Sequence, residues 1–306
     1  MSDPIRVLGH GSIEGASFGT SSYTIYESAA DLPPECLEEE APYLILWLHG
    51  ADSDQTDPKY LMAIQKHLGR CTIFMVPQNP TGGADGRHFY WGVGYTKKQN
   101  SLNLGFINGD FDNLEYLNKL AMKISEITQT RQPDRVMIFG YSMGGFGAYQ
   151  IASHAPGLFD VVVSIAGYGM GTMASGAPQP QSSNIFHNFC SQHLARLADV
   201  PVVIAIHAEK DTVSSYADVV AIINFLSEQG DGVVKLITVD ELNIKWDQKA
   251  RKARHSFHGY FNHTLITDSS KAQFYNVLKT DLCAARKRGA PSVCTPPEVI
   301  GTNRCA

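Results

Sequence analysis

The chain has 306 residues, of which 43% are hydrophobic and 18% are charged, and its formal net charge is −5. A chain of this length and apolar content can bury about three quarters of its unfolded surface, which excludes a disordered protein. The mild acidity argues against a dedicated nucleic-acid binder, and no stretch approaches the roughly 20 apolar residues that cross a bilayer.

Short β-branched segments alternate along the chain with longer amphipathic ones. Several of the short segments are apolar throughout, which is typical of strands buried on both faces of a parallel sheet. The alternation predicts an α/β fold, in which a mostly parallel central sheet is flanked by helices in three layers. The predicted strands are Thr20–Tyr26, Tyr43–Leu48, Cys71–Val76, Arg135–Phe139, Val161–Ile165, Pro201–Ile206 and Val233–Val239. Apolar side chains spaced by three or four residues predict helices over Asn113–Thr128, Tyr216–Glu228 and Ala272–Arg286.

Three long segments interrupt this alternation, at residues 80–110, 167–184 and 240–268. All three follow predicted strands, and ligands of open α/β sheets bind outside the carboxyl ends of the strands. We therefore expect them to be active-site loops. No linker or internal repeat divides the chain, so we predict a single domain over 1–286 and a polar C-terminal tail over 287–306.

The six cysteines form no CxxC pair, so neither a zinc site nor a dithiol redox motif is indicated. Cys71 and Cys283 lie in apolar stretches and are expected to be buried free thiols. Cys294 and Cys305 lie in the polar tail and could pair only in an oxidising compartment. The N-terminal segment has no basic region followed by an apolar one, so we expect a reduced, cytoplasmic protein.

The strongest functional signal is the segment Gly140-Tyr141-Ser142-Met143-Gly144, which follows a predicted strand and precedes a run of small residues. This is the G-x-S-x-G pattern of a nucleophile elbow in the strand-turn-helix context that the pattern requires. Ser142 is the predicted nucleophile, and the Met143 N–H is a predicted oxyanion-hole donor at the start of the helix. The alternative is a glycine-rich turn without a catalytic role.

A second oxyanion donor is expected in the loop after the strand Tyr43–Leu48. That loop begins His49-Gly50-Ala51, and the Ala51 N–H is the predicted donor. Such donors stabilise the negative charge that develops on the carbonyl oxygen. The His49 ring is expected to be hydrogen-bonded to backbone and to have no catalytic role.

The acid and the base of a serine triad are expected later in the chain, in the order Ser, acid, His. Asp211 follows the strand that ends near Ile206, and Glu209 is its competitor. The base is expected between the last strand and the last helix, where His255, His258 and His263 are all candidates. His263 is selected because only a short loop separates it from the predicted helix, but the other two remain open.

Aromatic residues and a basic run indicate where substrate could bind. Trp91 and Tyr141 are predicted substrate-binding residues, and ordinary packing over the edge of the sheet is the alternative for the aromatic loop around Trp91. The basic segment Lys245–Arg254 is predicted to be a solvated loop face, although it could attract an anionic substrate or a membrane surface.

The sequence resembles the α/β-hydrolase superfamily, and within it the phospholipase/carboxylesterase-type esterases and the related predicted-peptidase and polyhydroxybutyrate-depolymerase-like group. The segments that carry the resemblance are LHGADSD (48–54), VPQNP (76–80), the nucleophile block (140–169) and HAEKDTV (207–213). Over residues 43–280 the resemblance implies an α/β-hydrolase fold with Ser142 as nucleophile, Asp211 as acid and the amides of Ala51 and Met143 as oxyanion hole. The sequence departs from the family at the base, because no glycine precedes any of the three histidines.

Together these patterns predict a serine hydrolase that cleaves a carboxylic ester or thioester through an acyl-enzyme intermediate, without a metal or another cofactor. The expected partner is a small-molecule ester or thioester. A peptidase or an acyltransferase on the same triad is the first alternative, and a non-catalytic binding protein of the same fold is the second. A nucleotide-binding protein is disfavoured, since the glycines lack both G-x-G-x-x-G spacing and a P-loop lysine.

Overall fold

A computed structural model of the protein describes residues 5–28, 42–50, 58–68, 71–80, 88–91, 93–95, 111–112, 114–167, 195–209, 211 and 216–238, and the elements below lie within these ranges. Their centre is an eight-stranded sheet. Its strands are β1 Ile5–Gly15, β2 Gly19–Ser28, β3 Tyr43–Leu48, β4 Thr72–Pro77, β8 Arg135–Tyr141, β9 Val161–Ile165, β10 Val202–His207 and β11 Val233–Thr238. They lie in the order β1-β2-β4-β3-β8-β9-β10-β11. The first two strands form an antiparallel hairpin at one edge, and β2 pairs antiparallel with β4. All the remaining neighbours pair in parallel, which confirms the predicted sheet.

Helices cover both faces of this sheet. The helices are α1 Pro58–Leu68, α2 Leu114–Arg131, α3 Met143–His154 and α4 Tyr216–Gln229. Side chains of α2, α3 and α4 pack with Leu44, Leu46 and Leu48 on one face of β3. Side chains of α1 pack with Ile45 and Trp47 on the opposite face of the same strand. The alternation of buried side chains along β3 therefore supplies two cores, and the three-layer α/β architecture is confirmed.

Several elements differ from the sequence prediction. Neither β1 nor α1 was predicted. β1 is a largely exposed edge strand in which Gly9 and Gly11 weaken the apolar alternation. The segment 80–110, predicted as a loop, contains the short strands β5 His88–Tyr90 and β6 Val93–Tyr95, which form a small antiparallel sheet with β7 Phe111–Asp112. The predicted helix Ala272–Arg286, the tail 287–306 and nearly all of the other two predicted loops lie outside the described residues, so the single-domain boundaries stay a prediction.

Cys71, which lies directly before β4, is disulfide-bonded. The prediction that it is a free buried thiol is therefore wrong, and its side chain is only half-buried. All five other cysteines lie outside the described residues. Disulfides persist mainly in oxidising compartments, so this bond argues against the predicted cytoplasmic location.

The sheet order determines where functional side chains can meet. The carboxyl ends of β3, β8, β9 and β10 lie side by side, because these strands are consecutive in the sheet and parallel. We refer to this region as the carboxyl edge. Ser142, the His49-Gly50 pair and Asp211 each follow one of these strands, so all three reach the carboxyl edge from different parts of the chain.

Candidate active site

Ser142 occupies a sharp turn between β8 and α3. Its backbone has φ 57° and ψ −118°, an unusual conformation for a residue with a side chain. The Ser142 N–H donates to the Ile165 carbonyl oxygen at the end of the neighbouring strand, at 2.9 Å. Such strain persists only where surrounding contacts hold it, and it is concentrated at functional sites.

Glycines on both sides of Ser142 permit this turn. A Cβ on Gly140 would lie 1.9 Å from the Gly144 carbonyl oxygen, and a Cβ on Gly144 would lie 2.1 Å from the carbonyl oxygen of Leu48. Both obstacles are backbone atoms, which cannot rotate away as a side-chain tip can. The first turn of α3 therefore packs directly against β8 and against the end of β3, which explains the spacing of the G-x-S-x-G pattern.

Met143 is the first residue of α3 and its side chain is buried. The amides of a first helical turn have no acceptor within their own helix, and the helix dipole adds partial positive charge there. The Met143 N–H therefore belongs to a group of donors suited to an oxyanion. The carbonyl of Ser142 accepts the N–H of Phe146 at 3.2 Å, so regular helical bonding begins at Ser142 itself.

The end of β3 lies beside Ser142. A Cβ added to Gly50 would lie 3.4 Å from the Ser142 Cβ and 3.3 Å from Cδ1 of Tyr141. Only a residue without a side chain sits there without contact against Ser142. Ala51, the predicted second oxyanion donor, is the next residue and lies outside the described residues.

The His49 ring is buried and hydrogen-bonded to backbone on both sides. Its Nδ1 lies 2.7 Å from the Gly50 carbonyl oxygen, and its Nε2 lies 3.2 Å from the backbone nitrogen of Asn79. A carbonyl oxygen can only accept and a backbone N–H can only donate, so the ring carries its proton on Nδ1. As the sequence predicted, this ring makes backbone contacts.

Asp211 is buried, with 6% of its surface exposed, and follows β10. Its N–H donates to the Ala208 carbonyl oxygen at 3.0 Å, in a tight turn, and its Oδ2 lies 3.7 Å from Nε2 of the buried His207. Glu209, the competing acid, is exposed to solvent. β10 is separated from β8 by β9 alone, so Asp211 and Ser142 follow strands about 10 Å apart, a gap that a histidine side chain can bridge.

His255, His258 and His263 all lie outside the described residues, and so does the basic segment 245–254. The geometry of the predicted base therefore stays a prediction. Sequence reasoning missed two nearby polar residues: His207, the last residue of β10, and Asn79, which follows β4. In the sequence, each is simply a polar residue at or after the end of an apolar strand. Only the pairing of that strand with its neighbours shows what the residue contacts.

The two predicted substrate-binding residues are both buried. Tyr141 is 8% exposed and its ring lies beside Gly50, whereas Trp91 has no exposed surface. The Trp91 ring packs edge-on against the His49 ring, with the ring centres 4.9 Å apart. Trp91 therefore lies behind the end of β3, among core side chains.

Comparison with known protein families adds a second line of evidence. Residues 27–176 match the family described as putative esterase, and this range contains both the His49-Gly50 loop and the nucleophile turn. This match covers just under half of the chain, and over that part the protein resembles the putative esterases. Comparison with curated proteins gives no match.

Solved structures of esterases and other hydrolases share the α/β-hydrolase fold of this chain. A thermostable esterase is 16% identical over 93% of this chain and 63% of its own chain, with a TM-score of 0.50. An S-formylglutathione hydrolase from Agrobacterium tumefaciens is 15% identical over 90% of this chain and 94% of its own chain, with a TM-score of 0.50. Brefeldin A esterase, a bacterial homologue of human hormone-sensitive lipase, is 13% identical over 94% of this chain and 79% of its own chain, with a TM-score of 0.56. The chain thus spans less than two thirds of the thermostable esterase, and at these identities the likeness concerns the fold alone.

Within the described part of this chain, no helix is both long enough and apolar enough to cross a membrane.

Proposed function

We propose that this protein cleaves carboxylic esters or thioesters by acyl transfer to water, with Ser142 as nucleophile. The observation that carries the proposal is the strained Ser142 turn, which holds the nucleophile between the first turn of α3 and the Gly50 backbone. A binding protein would have no need to hold a serine at positive φ at this point. The match to a putative esterase family over the same residues favours ester substrates.

In the proposed first step, a histidine removes the proton of the Ser142 hydroxyl as its oxygen attacks the carbonyl carbon. The carbonyl oxygen becomes an oxyanion, which the N–H groups of Met143 and Ala51 stabilise. The C–O or C–S bond then breaks, the histidine gives its proton to the leaving alcohol or thiol, and the acyl group stays on Ser142. Water repeats the sequence, and the acid leaves with Ser142 regenerated.

Asp211 is proposed to orient the histidine and to stabilise its protonated form. Its burial supports this role, because a carboxylate in a low-dielectric site interacts more strongly with a nearby imidazolium than an exposed one does. Exposed Glu209 lacks this advantage. His263 is the proposed base, with His258 and His255 as the alternatives that a variant series separates.

The first test compares two serine variants in the hydrolysis of a short p-nitrophenyl ester and of the matching thioester. Ser142→Ala should lower kcat by about 10⁴-fold to 10⁶-fold, because the nucleophile is lost. Ser153→Ala is the matched control, since Ser153 is a fully buried serine of the same helix. Equal activity of the wild type and Ser142→Ala would overturn the proposal.

The same assay tests the acid and the base. Asp211→Asn should lower kcat by about 10⁴-fold through loss of the charge that orients the histidine, and Glu209→Gln should leave it unchanged. Among His263→Ala, His258→Ala and His255→Ala, only the variant of the true base should approach the loss seen with Ser142→Ala. If all three histidine variants retain full activity, the triad proposal is wrong.

A further inference from the structure

We infer that Trp91 and Asn79 are positioning residues, which align the two predicted donors of the oxyanion hole, the N–H groups of Met143 and Ala51. The inference rests on the proposed function, since an oxyanion hole matters only if Ser142 performs acyl transfer. It also gives Trp91 a role other than the substrate contact that its sequence context suggested.

Three hydrogen bonds join Trp91, Asn79 and His49 into a closed ring. The Trp91 indole Nε1–H donates to the His49 carbonyl oxygen at 3.3 Å, and the Trp91 backbone N–H donates to Asn79 Oδ1 at 3.0 Å. The backbone N–H of Asn79 donates to His49 Nε2 at 3.2 Å. The three residues come from three separate segments of the chain, so the ring fixes the segments that follow β4 and β5 against the end of β3.

This ring controls the direction of the next peptide group through the His49 side chain. Because Nε2 accepts from Asn79, the proton of His49 lies on Nδ1 and is donated to the Gly50 carbonyl oxygen at 2.7 Å. In a trans peptide group the N–H points opposite to the C=O. Holding the Gly50 carbonyl therefore fixes the direction of the peptide group to which that carbonyl belongs, and the N–H of this group is the donor that the sequence predicts for the oxyanion.

Trp91 also contacts the helix that carries the other predicted donor. A Cβ on Gly147 would lie 2.5 Å from both Cβ and Cγ of Trp91, so the side chain of Trp91 packs directly on the backbone of α3. The α3 helix begins at Met143, the first predicted donor. Trp91 thus contacts both α3, at Gly147, and the end of β3, at His49, next to the point where the helix and the strand pack directly on each other.

The backbone of Trp91 supports a role beyond packing. Its φ is 49°, in the left-handed region, which a bulky side chain rarely adopts. Ser142, at φ 57°, and Ala166, at φ 49°, are strained in the same way at the ends of β8 and β9. Strained residues persist where neighbouring contacts fix them, and they cluster at active sites.

The test measures kcat and KM for a p-nitrophenyl ester, together with the inhibition constant of a phenylboronic acid, whose tetrahedral serine adduct places an oxygen in the oxyanion hole. Trp91→Phe keeps a buried aromatic ring but removes the donor to His49. It should lower kcat about tenfold, less than the 100-fold to 1,000-fold that direct loss of an oxyanion donor costs, and weaken boronate binding in parallel while KM stays unchanged.

Trp47→Phe is the matched control. Trp47 is equally buried, but it lies on the opposite face of β3, where its ring stacks on Tyr60. We expect this variant to lose thermal stability while kcat and boronate affinity stay at the wild-type level. The comparison separates the loss of a core indole from the loss of this particular hydrogen bond.

A second pair of variants tests the inferred positioning role if Trp91→Phe does not fold. Asn79→Ala removes the acceptor of the Trp91 N–H and should lower kcat with KM unchanged, whereas Asn79→Asp keeps that acceptor and should restore most of the rate. If the wild type is active and the folded variants at positions 91 and 79 have the same kcat as Trp47→Phe, the inference is wrong and the proposed function still stands. A folded wild type without esterase activity would overturn both.

Discussion

At the carboxyl edge, the chain packs glycine against backbone, whereas in the β1–β2 hairpin at the far side of the sheet Gly9 faces open space. A Cβ on Gly144 would meet the Leu48 carbonyl at 2.1 Å, and nothing lies within 4 Å of a Cβ on Gly9. Both regions belong to the same sheet. Sequence tolerance should therefore differ sharply between Gly144 and Gly9, because an added Cβ meets backbone at the first position and open space at the second.

The polar contacts differ in the same way. Two hairpin contacts lie at or near the surface: Arg6 pairs with Glu27 at 2.6 Å, and the turn residue Ser17 hydrogen-bonds the Glu115 carboxylate on α2. At the carboxyl edge, His49 and Asp211 are buried, and the contacts described for them reach backbone atoms or another buried side chain. Exposed pairs contribute little to stability, whereas buried polar groups are costly when their partners are removed.

The largest expected effect comes from Gly144→Ala. Its Cβ would meet backbone, so β3 and α3 must separate, which destabilises the fold by about 1–3 kcal/mol and disrupts the turn that holds Ser142. We expect kcat/KM for a p-nitrophenyl ester to fall by about 100-fold or more, the scale of a lost oxyanion donor. Gly9→Ala is the same substitution in the hairpin and should leave kcat/KM and Tm unchanged. Equal effects at both glycines would remove the contrast between the two regions.

An intermediate effect is expected from the disulfide of Cys71, which precedes β4 at the amino end of the strand and therefore lies away from the carboxyl edge. Cys71→Ser should lower the free energy of unfolding by about 2–4 kcal/mol, as loss of a native disulfide typically does. Ester hydrolysis below the unfolding transition should be unaffected. Denaturant unfolding with and without dithiothreitol provides the measurement. Reduction should bring the wild type to the stability of the variant and leave the variant unchanged; a wild type insensitive to reduction would contradict a stabilising bond.

The smallest effect is expected from Glu115→Gln, which probes the support of the hairpin. The Ser17 hydroxyl and N–H, together with the Lys119 ammonium, lower the pKa of Glu115 from 4.5 to about 2. A lowered carboxylate pKa stabilises the folded state at pH values above 4.5, and this contribution is lost as the pH falls toward 2. The variant should lose less than about 1 kcal/mol near neutral pH, since the pair is partly solvated.

Thermal unfolding as a function of pH tests that prediction. The Tm difference between the wild type and Glu115→Gln should be full near neutral pH and should shrink as the pH falls below 4.5. Esterase activity near neutral pH should be the same for both proteins. A Tm difference that does not change with pH would show that the charge of Glu115 is not the stabilising feature.

Local pattern was sufficient to predict much of the fold. β3 and β9 have the predicted bounds, and β4, β8, β10 and β11 begin and end within two residues of the prediction, because each is a short, mostly apolar segment. The nucleophile turn was also predictable, since its glycines follow from local geometry around Ser142. β1 was missed because an exposed edge strand has no core to impose a periodic pattern.

Features that depend on contacts between distant segments were not predictable in this way. Trp91 looked like a pocket residue, because an aromatic residue in a long loop gives no sign that its ring will lie against His49 and Gly147. The Cys71 bond was missed for the same reason, since spacing alone does not identify which cysteines approach each other. Sequence pattern therefore predicted the local elements of the carboxyl edge better than the contacts between distant segments.

The most direct test of the central claim is covalent labelling of the wild-type protein with a fluorophosphonate, followed by mass spectrometry of its peptides. The strained turn should make Ser142 the one labelled residue, and labelling should disappear in Ser142→Ala while Ser153→Ala is labelled like the wild type. Folded protein that hydrolyses esters but carries its adduct on another residue, or carries none, would contradict the assignment of Ser142 as nucleophile.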